Sequence, residues 1–180
     1  MMLAEKFRRL GARVTLMLGP VEKCSLNKNI NLSRFYFFED LQFGLKRELR
    51  KHSYDAVIHS AAVSDYRPAK VLKFKIKSGI KKLRLELKPT PKIIELIKRI
   101  SPSSLAVGFK FEPAAAKNRI IREAEILKKR AGLDLVVANT APDNRYCAYI
   151  VGAPSIKGPF RNKQATSKAL VDSVEDKWQE

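Results

Sequence analysis

Residues 55–68 read DAVIHSAAVSDYRP, and this stretch decides the fold class. Its first half, residues 55–61, is a short apolar run without polar alternation, which is typical of a strand buried on both faces of a parallel sheet. The run ends in the small residues Ser60, Ala61 and Ala62, which are followed by an acid, an aromatic ring and an arginine. We therefore predict a buried parallel strand whose carboxyl end opens into a functional loop.

Helical and strand-like segments alternate on both sides of this stretch. Helices are predicted at 2–10, 39–52, 89–100, 114–131 and 163–178. Strands are predicted at 13–18, 35–38, 55–61, 82–88, 105–111, 134–139 and 146–152, with 21–34 irregular and 64–81 a basic loop or arm. The alternation predicts an α/β, Rossmann-like fold over one domain, 1–180. Its sheet is mostly parallel with helices on both faces, and a basic arm and β segment lie around 67–88.

The charge balance narrows the classes of partner. The chain has 180 residues, with 36 Lys and Arg against 18 Asp and Glu, for a formal charge of +18. This balance favours nucleotides, phosphorylated metabolites or nucleic acid as partners, although a solvated basic surface without a dedicated partner is the alternative. No apolar run is long enough to span a membrane and no signal peptide is evident, so we expect a cytoplasmic protein. Cys24 and Cys147 match no metal-binding spacing and are predicted to be reduced thiols.

Ligands of open α/β sheets bind outside the carboxyl ends of the strands. At the end of the 55–61 strand, small residues allow a ligand to approach the backbone, and Asp65 is a candidate to bind a ligand donor or Mg²⁺. A solvated or capping aspartate is the alternative. Two further strand ends carry candidate residues, namely Phe109 with Glu112, and Asn139. Each of these residues also has an alternative, structural role: Phe109 in the core, Glu112 at a helix start and Asn139 in a turn.

A lysine-rich segment, KFKIKSG at 73–79, is too polar to be core. Alternation in an extended chain places Lys73, Lys75 and Lys77 on one side. Lysines of this kind neutralise a triphosphate or a developing pyrophosphate charge. An exposed basic arm without a ligand is the alternative.

The order of these motifs resembles phosphopantothenate–cysteine ligase, which is often the second half of the bifunctional coenzyme A biosynthesis flavoprotein. The motifs are LAEKFRRLGARVTLMLGPV, DAVIHSAAVSDYRP, KIKSG, LRLELKPTPKII, VGFKFE, DLVVAN and a final helix after NK. The resemblance implies that 4′-phosphopantothenate is ligated to L-cysteine with CTP and Mg²⁺, through an acyl-cytidylate. It also implies a homodimer, and a decarboxylase subunit as a further candidate partner.

The resemblance also implies roles for individual residues. Lys75, Lys77 and Asp65 are the implied catalytic residues, with Asp65 also the candidate metal ligand. The implied nucleotide contacts are Ser60, Ala61, Asp65, Lys75, Pro91, Lys92, Ile93, Ile94, Phe109 and Arg130.

The sequence departs from the family pattern at its beginning. The family begins with a strand and a Gly/Ser-rich loop, whereas this sequence begins at the helix that follows them. The flavin-binding half is also outside this sequence, so we expect no FMN. Two other hypotheses therefore stay open, namely a catalytically impaired nucleotide-binding partner subunit and a basic RNA-binding protein. The sequence lacks the aromatic, GXXG and zinc-knuckle motifs of RNA-binding modules, which disfavours the RNA-binding hypothesis.

Overall fold

The structure is a computed structural model that describes residues 1–21, 25–71, 74–152 and 155–179. The helices are α1 Met2–Arg9, α2 Phe38–Lys51, α3 Ile93–Ile100, α4 Lys117–Ala131 and α5 Lys163–Gln179. The strands are β1 Thr15–Leu18, β2 Asn31–Arg34, β3 Ala56–His59, β4 Tyr66–Pro68, β5 Leu87–Pro89, β6 Leu105–Phe111, β7 Leu135–Thr140, β8 Cys147–Val151 and β9 Lys157–Phe160. Two residues of the sequence predictions, Cys24 and Lys73, lie outside the described residues.

The central sheet has five strands in the order β3-β6-β7-β8-β9. Strands β3, β6 and β7 are parallel, whereas β8 runs antiparallel to β7 and β9 antiparallel to β8. The α/β prediction is confirmed, because the apolar runs at 55–61, 105–111 and 134–139 form the parallel part. Strand β9 was not predicted, since Gly158 and Pro159 interrupt its sequence pattern. Proline is tolerated there because β9 is an edge strand.

Two predictions around residues 21–38 are wrong. Residues 35–38 are not a strand, and the nominally irregular segment 21–34 contains β2, which pairs in parallel with β1. The aromatic residues instead lead into α2, where the Asp40 carboxylate accepts the backbone N–H of Phe37 at 3.0 Å. A carboxylate that caps the first turn favours the helix over an extended continuation of the chain.

The arm between β4 and β5 is less regular than its sequence pattern indicates. The predicted strand 82–88 is wrong over most of its length, because strand geometry covers only β5, which pairs antiparallel with β4 inside the predicted loop. Residues 79–89 are all exposed, so the alternation there has no buried face against which a longer strand would form. The two short strands nevertheless anchor the arm at its base.

Helices cover both faces of the sheet. One hydrophobic core lies under α2, α3 and α4 and includes Leu45, Ile97 and Ile120. The other lies under α5 and includes Leu170 and Val174, with Leu3 and Phe7 of α1 packed at its margin. Among the described residues, no helix combines the length and hydropathy that crossing a membrane requires.

Candidate active site at the carboxyl edge of the sheet

Three of the predicted strand-end residues line one cavity. Ser60 follows β3, Phe109 lies in β6 and Asn139 in β7, and all three line a cleft of about 1610 Å³. The cleft continues between β1 and β3 and is hereafter called the β1–β3 cleft. These residues meet because parallel strands end at the same edge, with His59 opposite Gly108 and Phe111 opposite Asn139.

Asn139 presents a side-chain acceptor that has no partner among the described residues. Its Oδ1 is buried and accepts no hydrogen bond from any described residue. Its backbone oxygen is used, since it accepts the N–H of Glu112 at 3.1 Å. A buried amide oxygen without a partner is costly, so a ligand donor in the cleft would stabilise it.

The loop after β3 is fixed to the start of α3 by Thr90. The Thr90 N–H donates to the Asp65 backbone oxygen at 2.9 Å, and its hydroxyl donates to the Ser64 backbone oxygen at 2.5 Å. Thr90 is itself buried. The structure thus brings Asp65 and the predicted Pro91–Ile94 segment together. Sequence reasoning gave Thr90 no role, and no local signal identifies it, because its partners Ser64 and Asp65 lie 25 or more positions away.

The amino end of α3 has a geometry that suits an anion. No side chain of the described residues caps this helix, and the Glu95 N–H already donates to the Lys92 backbone oxygen at 3.2 Å, so the N–H groups of Ile93 and Ile94 are the candidates to bind a ligand. Lys92 stands at the N-cap position, and its ammonium group forms an ion pair with the Asp65 carboxylate. Ile93 and Ile94 are buried in the core, so their only possible ligand contacts are through the backbone.

Packing also explains the glycine that precedes Phe109. A Cβ on Gly108 would come within 2.6 Å of Leu133 Cδ1 and 2.7 Å of Ile94 Cδ1. Because Gly108 has no side chain, α3 can approach β6 closely. The start of α3 therefore lies against the sheet edge. The role of this glycine is to position the site.

Arg130 is connected to the same helix. Its guanidinium Nε lies 3.2 Å from a carboxylate oxygen of Glu95, in the first turn of α3. Arg130 lies in the last turn of α4, a helix that ends at Ala131 and is followed by Gly132 with a left-handed backbone. The predicted nucleotide contact of Arg130 stays a prediction, and in the structure its charge is partly compensated by Glu95.

Lys75 and Lys77 are not brought to the cleft. Both are exposed on the arm, do not line the cleft, and have no hydrogen bond or ion pair to another described residue. Their charges are therefore available to a ligand or to a partner surface. Their catalytic role stays a prediction.

Asp65 is an exposed carboxylate that forms an ion pair with Lys92. Among the described residues no three His, Cys, Asp or Glu side chains are grouped to hold a metal ion. Asp65 thus fits Mg²⁺ only as one ligand of a site that phosphate oxygens and water complete, which is how Mg²⁺ is usually held beside nucleotides. When bound, Mg²⁺ would offset negative charge on the triphosphate.

Burial lowers the pKa of His59, at the end of β3. Below about pH 6.5 the unfolded chain therefore binds a proton at this position more readily than the folded chain does. The free energy of unfolding should fall as the pH drops from about 7 to 5, and His59→Gln should make this fall shallower. Urea titrations across this pH range measure the slope. An equal slope in His59→Gln and in the unaltered protein would contradict the assignment.

Tyr146 lies in the same cleft and was also missed by sequence reasoning. Its hydroxyl donates to the Thr166 hydroxyl at 3.2 Å, and burial raises its pKa, so it is neutral near pH 7. It links the segment before β8 to α5, which also lines the cleft. No local sequence signal identifies it, because it follows an irregular turn.

Comparison with known proteins decides the family. Residues 1–176 match the DNA/pantothenate metabolism flavoprotein C-terminal domain. The chain belongs to this family. The resemblance carried by the motif order is thereby confirmed.

Individual relatives agree with this assignment. The chain is 40% identical over 180 residues to the coenzyme A biosynthesis bifunctional protein CoaBC of Thermococcus kodakarensis, which covers 96% of this chain and 43% of that protein. The chain thus spans less than half the length of this relative. The DNA/pantothenate metabolism flavoprotein of Streptococcus pneumoniae has the same fold, with a TM-score of 0.84 at 23% identity over 97% of this chain and 86% of that chain.

A third relative was solved with a ligand. A Cab2 variant in complex with phosphopantothenate-cysteine aligns with a TM-score of 0.64 at 19% identity, over 84% of this chain and 54% of that chain. At this identity the likeness concerns the fold.

Proposed function

We propose that this domain is the ligase module of coenzyme A biosynthesis and joins 4′-phosphopantothenate to L-cysteine with CTP. The observation that carries the proposal is the 40% identity to the Thermococcus kodakarensis bifunctional protein over 96% of this chain. The family membership over residues 1–176 supports the same pathway. A cytoplasmic location and the absence of FMN remain predictions that accompany this proposal.

The proposed reaction places large negative charge at the carboxyl edge of the sheet. The phosphopantothenate carboxylate attacks the α-phosphate of CTP and pyrophosphate leaves; the cysteine amine then attacks the acyl carbon and displaces CMP. Protein groups contribute mainly by positioning the substrates and compensating charge. The N–H groups of Ile93 and Ile94 at the start of α3, beside the Lys92 ammonium that also pairs with Asp65, support phosphate binding there. Asn139 Oδ1 is a candidate acceptor for a substrate N–H or hydroxyl.

Calorimetric titration with CTP and Mg²⁺ tests nucleotide binding, and release of pyrophosphate in the presence of both other substrates tests the ligation. We expect CTP to bind at micromolar to millimolar concentration, which is usual for a metabolic enzyme. Binding without pyrophosphate release would favour the alternative of an impaired partner subunit. No heat at millimolar CTP from the folded protein would contradict both.

The RNA-binding alternative has its own discriminating experiment. A formal charge of +18 attracts RNA at low salt, but such binding weakens steeply as salt is raised. Filter binding at physiological salt should therefore detect no tight complex. Tight binding that persists there would favour the RNA-binding reading over the ligase.

We also propose that a second copy of the chain covers the arm. Apolar side chains of the arm are largely exposed, including Phe74 at 71% and Leu85 at 60%. Light scattering at tens of micromolar should give about twice 20.4 kDa, the mass of one chain. Leu85→Glu should shift the protein toward the monomer because it introduces a charge into the interface. The control Ile126→Glu, on exposed α4, should leave the dimer intact; a monomer at 20.4 kDa in the unaltered protein would contradict the proposal.

A further inference from the structure

Lys92 is a cation at the proposed phosphate site whose charge is compensated in the structure. It stands at the N-cap position of α3, directly before Ile93 and Ile94. Its ammonium group pairs with the Asp65 carboxylate, which is the one ionic contact of Lys92 among the described residues. An anion that binds at the start of α3 therefore meets a lysine that already has a partner.

The backbone on both sides of this ion pair is fixed. Thr90 is buried; its N–H donates to the Asp65 backbone oxygen at 2.9 Å and its hydroxyl donates to the Ser64 backbone oxygen at 2.5 Å. On the helix side, Ile93 is buried in the core. The loop and the helix start are thus held next to each other, and the ion pair forms whenever no ligand competes for either group.

The two charged side chains, in contrast, can change partners. The exposed fraction is 60% for the Asp65 side chain and 39% for the Lys92 side chain. Exposed ion pairs are weak, because water solvates both charges well. A ligand that offers each group a better partner can therefore separate the pair without a change in the backbone.

A polyphosphate without a metal ion offers a partner to Lys92 alone. Its oxygens attract the ammonium group, but the Asp65 carboxylate is then left unpaired beside charges of its own sign, which is unfavourable. A polyphosphate that carries Mg²⁺ offers a partner to both groups, since a carboxylate together with phosphate oxygens and water is a usual environment of Mg²⁺. The same two residues thus oppose the first ligand and accept the second.

The other acid at the start of α3 does not duplicate this arrangement. Glu95 lies in the first turn of the helix, but its carboxylate is 3.2 Å from Nε of Arg130, in the last turn of α4. Asp65 is therefore the acid that compensates the charge of Lys92.

We propose that Asp65 and Lys92 determine a ligand specificity, in which the start of α3 selects metal-complexed over metal-free polyphosphate. Without a metal ion, Asp65 retains the Lys92 ammonium group and repels an incoming polyphosphate. In the presence of Mg²⁺, the carboxylate contacts the metal ion and the ammonium group is released to the phosphate oxygens. The inference rests on the proposed function, which supplies a nucleoside triphosphate as the ligand.

Calorimetric titration of the full chain with CTP, in excess Mg²⁺ and in EDTA at equal ionic strength, tests this selection. For the unaltered protein we expect the Kd in EDTA to exceed the Kd in Mg²⁺ at least about tenfold, the scale of one contact with a charged group. Asp65→Asn keeps the backbone oxygen that Thr90 uses. This variant should lower the Kd for metal-free CTP about threefold, the scale of an exposed ion pair, and raise the Kd in Mg²⁺.

Two further variants assign the effect to this ion pair. In a Lys92→Ala background, Asp65→Asn should improve metal-free binding less, because no ammonium group is left to be released. Glu39→Gln is the matched charge control, since Glu39 pairs with Arg67 and their exposed fractions, 62% and 41%, are close to those of Asp65 and Lys92. It should leave both Kd values within about twofold.

Inorganic tripolyphosphate, titrated under the same two conditions, separates this inference from the ligase proposal. The same pattern with tripolyphosphate supports the inference whether or not the substrates release pyrophosphate. Tight CTP binding in Mg²⁺ together with unchanged or weaker metal-free binding in Asp65→Asn would overturn the inference and leave the ligase proposal standing. Equal gains in Asp65→Asn and Glu39→Gln, an equal gain in the Lys92→Ala background, or no binding of either polyphosphate to any of these proteins would also overturn it.

Discussion

Lys75→Ala is expected to weaken CTP binding by about 1.5–3 kcal/mol, which corresponds to roughly 10- to 150-fold in Kd. This is the magnitude of a hydrogen bond to a charged group. Lys75 is exposed on the arm and has no ionic or hydrogen-bond partner among the described residues, so packing does not account for it. The free energy of unfolding should hardly change. Calorimetry with CTP and Mg²⁺, together with urea unfolding, measures both quantities.

Two further variants separate a specific contact from bulk electrostatics. Lys70→Ala removes an equally exposed charge from the same arm and should weaken CTP binding far less. Lys75→Arg should restore binding only in part, because a guanidinium fork does not replace a compact ammonium charge. Equal losses in Lys75→Ala and Lys70→Ala would show that only the general basicity of the arm matters. A large drop in Tm for Lys75→Ala would make the residue structural.

Ile97→Ala is expected to lower the free energy of unfolding by about 2–5 kcal/mol, the usual cost of truncating a fully buried isoleucine. Ile97 is 0% exposed and belongs to the core between α3 and the sheet. The loss combines the reduced burial of apolar surface with the cavity that remains. Urea unfolding at one fixed protein concentration measures it, because dimer formation would make stability depend on concentration.

The control for Ile97 is Ile126→Ala. Ile126 also lies in a helix, but it is 51% exposed and belongs to neither core. Truncation there should change the free energy of unfolding by less than about 0.5 kcal/mol, since alanine favours the helix and little burial is lost. Similar losses at both positions would mean that α3 does not carry the core packing described above.

The sequence by itself determined the fold class and the position of the site. The apolar run at 55–61 lacks polar alternation, which predicted a parallel strand, and β3 pairs in parallel with β6 although its residues are only partly buried. The same reasoning placed β6 within its observed bounds. Since parallel strands end at one edge, the meeting of Ser60, Phe109 and Asn139 in one cleft followed from the order of the strands.

The local pattern failed where a nearby cap or a distant partner overrides it. The aromatic run at 35–38 has the composition of a strand, but a cap from Asp40 turns it into the start of α2. Alternation at 82–88 has no buried face to satisfy it, so only β5 forms. The antiparallel direction of β8 and β9 likewise depends on chain connections that no short window of sequence contains.

Only the tertiary structure decided the details of the site. The contacts of Thr90 with Ser64 and Asp65 join residues 25 or more positions apart, and the ion pair of Lys92 with Asp65 adds to the same junction. The pairing of β1 with β2, apart from the five-stranded sheet of the described residues, is equally invisible in sequence, because strand partners depend on what lies beside a strand in space. Residue type and period indicate most of the strands and helices, whereas hydrogen-bond partners and strand neighbours arise from long-range packing.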